Sequence, residues 1–202
     1  MKFTLSILAL LAIVFLVGCS AKDTSSNNKL SNSEITKLGK KYGGVYVFNK
    51  KFEKEIDDRE RERKDYMDDF FKTRKVFKKD DLKVLDNTLP QTLSNGKKYY
   101  TTTRAYGEDY NKQAKLPEIY KEKIINFIGQ EDYNKFKPSI DIGYFYVDND
   151  EIVPIELSAT YSYQGTKFGL FGDEGRGFAL SRDEIRYTKG GNRFYLEDLE
   201  RR

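Results

Sequence analysis

At Pro138 the apolar residues of this chain change their spacing, and that change constrains its fold more than any other feature. Upstream, Ile119, Tyr120, Ile124, Phe127 and Ile128 recur at the three-to-four-residue interval of one helical face, with Pro117 at the start and Gly129 at the end. Tyr133 and Phe136 fit a short continuation that stops before Pro138. Downstream, "IDIGYFYV", "IVPIELSATYSY", "KFGLF", "GFALSRDEIRYT" and "NRFYL" alternate at period two, as strands do. The turn signals "DNDE", "QG", "GDEG" and "KGGN" punctuate them. Helices first and hairpin-connected strands second predict a single α+β domain, with the helix around Ile124 packed on one face of an antiparallel sheet.

The first half of the domain reads mainly as helix. Asn32 or Ser33 is expected to cap "EITKLGKKY", which ends near Gly43 and Gly44, and "VYVF" is a candidate strand. The segment from Lys50 to Phe77 contains neither Gly nor Pro, so one long helix is expected. Phe52, Ile56, Phe70 and Phe77 share its apolar face, which Arg59 and Arg63 interrupt. Glu55 with Arg59, Asp57 with Arg61 and Glu60 with Lys64 have the i,i+4 order that adds about 0.2 to 0.5 kcal/mol per pair. Its charged middle reads as a solvated face, or as a docking surface for a charged partner. In "SNGKKYYTTTRAY", Asn95 and Gly96 form a turn ahead of a β-prone strand.

The chain opens with "MKFTLSILALLAIVFLVGCS": one charge at Lys2, an apolar run from Phe3 to Val17, then Gly18 and the single cysteine, Cys19. The run is shorter than the roughly 20 residues a spanning helix needs, and it has the layout of a secretory signal. The tetrad Leu16, Val17, Gly18, Cys19 resembles the lipobox of bacterial lipoprotein precursors. The resemblance implies cleavage before Cys19, a diacylglycerol on its thiol, and Cys19 as the first mature residue. Ser20 is not the aspartate associated with inner-membrane retention, which implies the periplasmic face of an outer membrane. Two acyl chains make a stable anchor where one is marginal. Residues 1–18 are then a signal peptide, 19–33 a lipidated N-terminus and flexible polar tether, and 34–202 the globular domain.

Composition removes several function classes. The sequence has no histidine, the commonest general base and metal ligand near neutral pH. With its one cysteine acylated it can build neither a Ser-His-Asp nor a Cys-His arrangement, no zinc site, and no disulfide. G-x-S-x-G and phosphate-loop patterns do not occur, and the Gly172, Gly175, Gly177 cluster matches no phosphate motif. Read as an EF-hand from Asp148, the acidic "DNDE" run would need Gly at Val153 and Glu at Ala159, so a polar turn is expected instead. The net charge of +4 lacks the basic excess of a nucleic-acid protein. No cofactor is implied. Carboxylate chemistry survives, because a glycosidase needs only two acids at a set separation.

Alternation in "YFYV" and "TYSY" places some tyrosines opposite the core, which makes Tyr144, Tyr146, Tyr161 and Tyr163 candidates for an aromatic binding face; lining the core is the alternative for them. Three roles follow: a non-enzymatic lipoprotein that binds another envelope protein as adaptor, inhibitor or immunity-type factor; a carboxylate-dependent cell-wall glycan hydrolase; and a structural lipoprotein contacting cell wall or lipid. The first asks least of the residues present.

Overall fold

The computed structural model describes residues 30–175, 177–188 and 190–199. The lipobox residues Leu16 to Cys19, the signal segment and most of the tether lie outside them.

Helix α1 (Asn32–Tyr42) is capped by Ser31, ahead of the expected Asn32 or Ser33, because Ser31 and Glu34 make a reciprocal pair: the Ser31 hydroxyl accepts from the Glu34 amide, and the Glu34 carboxylate accepts the Ser31 amide at 2.8 Å. Strand β1 (Gly44–Val47) follows, then α2 (Lys50–Thr73), capped by Asn49. α2 is shorter than the Gly- and Pro-free segment. Phe77 lies beyond it and folds back, its ring centroid 5.0 Å from that of Phe70.

The charged middle of α2 is used more than its periodicity suggests. The three expected i,i+4 pairs do not form; Lys51–Glu55, Asp58–Arg61 and Arg59–Glu62 form instead. Glu60 accepts the Tyr99 hydroxyl at 2.7 Å and the Gln91 amide at 2.8 Å, while Glu55 accepts the amide and hydroxyl of Ser94. Arg63 is nearly buried and donates to the Leu89 carbonyl and to Asp86, which lies on the next helix, α3 (Lys79–Thr88). These bonds hold the 89–99 connection against α2.

Strand β2 covers only Tyr99–Tyr100. The β-prone threonines after it do not extend it, because the Thr102 hydroxyl accepts the Ala105 amide and starts α4 (Thr103–Tyr110). Then come α5 (Glu118–Ile128), α6 (Gln130–Lys135), β3 (Ser139–Ile142), β4 (Phe145–Asp148), β5 (Glu151–Pro154), β6 (Glu156–Thr160), β7 (Ser162–Asp173), β8 (Gly177–Tyr187), β9 (Asn192–Tyr195) and α7 (Leu196–Leu199). Asn149 and Asp150, with φ of 48° and 63°, make a two-residue turn between β4 and β5, so "DNDE" is a hairpin turn. "QG" is not a turn: Gln164 and Gly165 pair with Ile185 and Glu184 inside a continuous β7.

The fold is α+β, with the strands of the described residues in three sheets. One has the order β3-β6-β1-β9, another β2-β4-β5, and the last is the pair β7-β8. Every strand pairing is antiparallel except β1 with β9, which join in parallel across most of the chain. Gly44, at φ 148°, permits that union, because a side chain there would collide with the Asn192 carbonyl. Ile155 stitches two sheets together: its amide donates to the Tyr144 carbonyl at 2.7 Å, and its carbonyl accepts the Phe48 amide at 2.8 Å.

α5 packs on the four-stranded sheet as expected, with Ile124 and Ile128 in a core that contains Tyr46, Leu157 and Tyr161. Ile119 is an exception to the expected face and is exposed. A second cluster gathers Ile56, Leu93, Tyr99 and Ile155, and a third gathers Tyr100, Tyr106, Phe145 and Ile152. Among the described residues no helix is long and apolar enough to cross a membrane.

Candidate interaction surface

β7 and β8 form a twelve- by eleven-residue ribbon with no third strand among the described residues. Its base is tied down at Tyr161, whose carbonyl accepts the Thr188 amide at 2.9 Å and the Thr188 hydroxyl at 3.2 Å. Gly39 of α1 abuts Thr188 so closely that a side chain could not be accommodated there. Beyond the base the ribbon runs free of both larger sheets to a tip at Asp173 to Gly177, where Gly172 and Gly177 take the positive φ that a tight reversal needs.

The ribbon carries large apolar side chains into solvent. Phe168, Leu170, Phe178, Leu180, Ile185 and Tyr187 are each between 62% and 81% exposed. The register puts them on both faces. Ser162–Tyr187, Gln164–Ile185 and Phe168–Ser181 are directly opposed pairs of one face, so Leu180, next to Ser181, points to the other, with Phe178 two residues on. Monomeric proteins rarely leave such a surface uncovered, and a two-stranded ribbon is marginal in water by itself.

Charge on the ribbon is unevenly arranged. Lys167 stands directly across from Arg182, a like-charge pairing that costs stability. Among the described residues no carboxylate lies within ion-pair range of either, and Arg182 instead rests 4.7 Å from the Phe171 ring centroid. Elsewhere opposites meet: Arg186 pairs with Glu184 at 3.3 Å, and Thr166 bonds Asp183 at 3.0 Å.

The four tyrosines singled out by alternation do not form one face. Tyr161 is fully buried in the α5 core, its ring stacked at 5.9 Å on Phe136, so it presents nothing to a partner; burial first, then the Tyr42 hydroxyl, pushes its phenol upward. Tyr163 is half-buried against the same core. Tyr144 and Tyr146 pack on the second cluster instead, Tyr146 edge-on to Phe52 at 5.8 Å. The Tyr144 phenol is pushed up to about 12 by burial, reinforced by the negative charges of Asp57, Glu156 and Glu60. Strand phase explains the split: Tyr161 lies between β6 and β7, while Tyr144 lies between β3 and β4 at the crossing from one sheet to the next.

Tyr146 also lines a cleft of about 220 Å³ with Phe48, Asn49, Tyr120, Lys123 and Glu197. Neither the half-buried Glu156 nor the exposed Asp57 lines it. Glu156 has its Oε2 buried without a hydrogen-bond partner, and burial, then the charge of Asp57, raises its pKa. Among the described residues no group of three or more acids is placed to hold a metal ion.

The exposed ribbon residues were not among the expected binding residues. A signal for them exists in the sequence: the apolar positions of β8 are even-numbered at Phe178 and Leu180 but odd-numbered at Ile185 and Tyr187. A strand with one buried face keeps a single parity. Compared with known protein families, with curated protein sequences and with solved structures, this chain matches none.

Proposed function

We propose that this chain is a lipid-anchored envelope lipoprotein whose domain acts as a non-enzymatic protein-binding module through the β7–β8 ribbon. One observation carries the reading: six large apolar side chains stand in solvent on a ribbon that no other sheet covers among the described residues. Burying a side chain of that size contributes about 1.5 to 3 kcal/mol, so a partner covering even half of them gains substantially. The anchor belongs to the same proposal. Acylation of Cys19, in the Leu16-Val17-Gly18-Cys19 context, holds the chain at the periplasmic face of an outer membrane. The twelve residues between Cys19 and α1 then let the helix stand up to about 40 Å from it.

The test is a photo-reactive residue placed at Phe178 in the full-length chain, irradiated in intact envelopes. One envelope protein joined at near-equal stoichiometry, and lost in a Leu180→Ser background, is the expected result. Cross-links to cell wall or lipid alone would replace this reading with that of a structural lipoprotein. A second reading, the carboxylate-dependent glycan hydrolase, draws on the raised pKa of Glu156 beside Asp57. It requires turnover of purified cell wall that disappears in Glu156→Gln.

A further inference from the structure

Resting on the binding-module reading, we infer that the ribbon's partner is an extended acidic segment that adds as a third strand along the outer edge of β8. Three observations point to that edge and that chemistry.

The two edges of the ribbon are unequal. On β7 the register slips between Phe168 and Phe171, so an extra residue sits there opposite β8, and Gly165, Gly169 and Gly172 interrupt the strand. A bulge and glycines blunt an edge against further pairing. β8 runs from Gly177 to Tyr187 without a bulge, without proline and with no glycine after its first residue. Its outward amides and carbonyls are a template of the kind to which strands add.

Apolar side chains on both faces select among possible occupants. A strand added beside β8 alternates its own side chains above and below the sheet, so it reaches Leu180 and Phe178 on one face and Ile185 and Tyr187 on the other. It also satisfies the backbone of the edge. A bilayer would cover the apolar groups but leave that backbone without partners, at a cost of several kcal/mol per group in hydrocarbon. The charged Asp173 and Glu174 at the tip further oppose insertion.

Charge fixes the class of segment. Arg182 and Lys167 stand side by side on one face with no carboxylate of the described domain paired to them. Arg182 is on the edge strand, and Leu180 and Phe178 follow it on the same face at steps of two. A strand laid against β8 therefore meets, in sequence, a position that favours Asp or Glu and then two that favour apolar residues, each two apart. The acid relieves the Lys167–Arg182 repulsion as it binds.

The experiment uses the chain from Ser20 to Arg202, which contains every described residue, and two synthetic decapeptides of alternating valine and threonine. One carries a central glutamate flanked two residues away by valine, and the other has lysine in its place. The glutamate peptide should bind at least ten-fold tighter, with amide exchange slowed along β8 and not along β7. Arg182→Glu should reverse the preference, and Lys167→Glu, one strand further in, should reduce it. A reversal cannot come from a domain that has failed to fold. Equal binding of the two peptides, or a preference that Arg182→Glu leaves intact, overturns the inference. So does adhesion of the chain to phospholipid vesicles without peptide binding, or a concentration-dependent dimer that occupies the β8 edge. If the photo-cross-linked envelope protein is recovered while neither peptide binds, the module reading stands and strand addition falls.

Discussion

Glu156 begins β6 in the middle of the four-stranded sheet, opposite Val47, with one carboxylate oxygen buried and without a hydrogen-bond partner. Burial and the Asp57 charge raise its folded pKa above the ordinary glutamate value. The stability it contributes is then present below that ordinary value and is lost as pH rises through the folded one. Glu156→Gln should therefore raise the urea midpoint at pH 7 and leave it nearly unchanged at pH 3.5. Asp132 has the opposite sign. The Tyr42 hydroxyl at 2.7 Å and the Lys135 ammonium at 3.0 Å pull its carboxyl down to about 2. Its stabilisation is complete above the unfolded aspartate value near ~3.9 and falls away as pH drops toward about 2. Tyr42→Phe should thus make the domain unfold at a less acidic pH, which a urea series between pH 2 and pH 5 would show.

At the scale of elements, α5 tests how far helical phase decides burial. Ile119 and Ile124 belong to the same apolar pattern, yet Ile124 is fully buried and Ile119 is 60% exposed. Ile119 sits in the first turn, ahead of the stretch that meets the four-stranded sheet. Ile124→Ala should cost about 2 to 5 kcal/mol in chemical denaturation, and Ile119→Ala no more than about 0.5 kcal/mol. Ribbon and sheet should differ as strongly in opening. β1 is flanked by β6 and β9 and carries the buried Tyr46 and Val47, whereas most of β7 and β8 is exposed. Native-state amide exchange should be faster in β7–β8 by orders of magnitude, since small local openings suffice there. Protection equal to that of β1 in the isolated chain would mean that the ribbon is already covered.

At the scale of the molecule, the attachment matters as much as the domain. A tethered module meets partners on the same membrane at high effective concentration, so a modest ribbon contact can hold. Cys19→Ser in the full-length chain should abolish acyl incorporation and move the protein out of the membrane fraction without altering its thermal midpoint. Fractionation and electrophoretic migration identical to the unaltered chain would remove the anchor from the proposal. The Phe178→Ser, Leu180→Ser pair separates binding from folding in the same way, because exposed substitutions shift stability by about 0.5 kcal/mol or less each.

The amino-acid order carries local information. Alternation beyond Pro138 located the strand region but not the breaks between β3 and β4 or β5 and β6, the DNDE run marked the turn between β4 and β5, and the Ile124 face identified the helix that covers the four-stranded sheet. Where a side chain competes with the backbone over three residues, as Thr102 does at α4 and Ser31 does at α1, the signal was present but weaker than the β propensity or the neighbouring caps. The parallel seam of β1 with β9 had no local signature, since Gly44 meets Asn192 only after the whole chain has folded between them. The same holds for the ribbon: a strand's pattern records its own alternation, not whether another sheet remains to cover it. Pairing between distant segments settles it: among the described residues β3, β6, β1 and β9 form one sheet and β2, β4 and β5 another, while β7 and β8 pair only with each other.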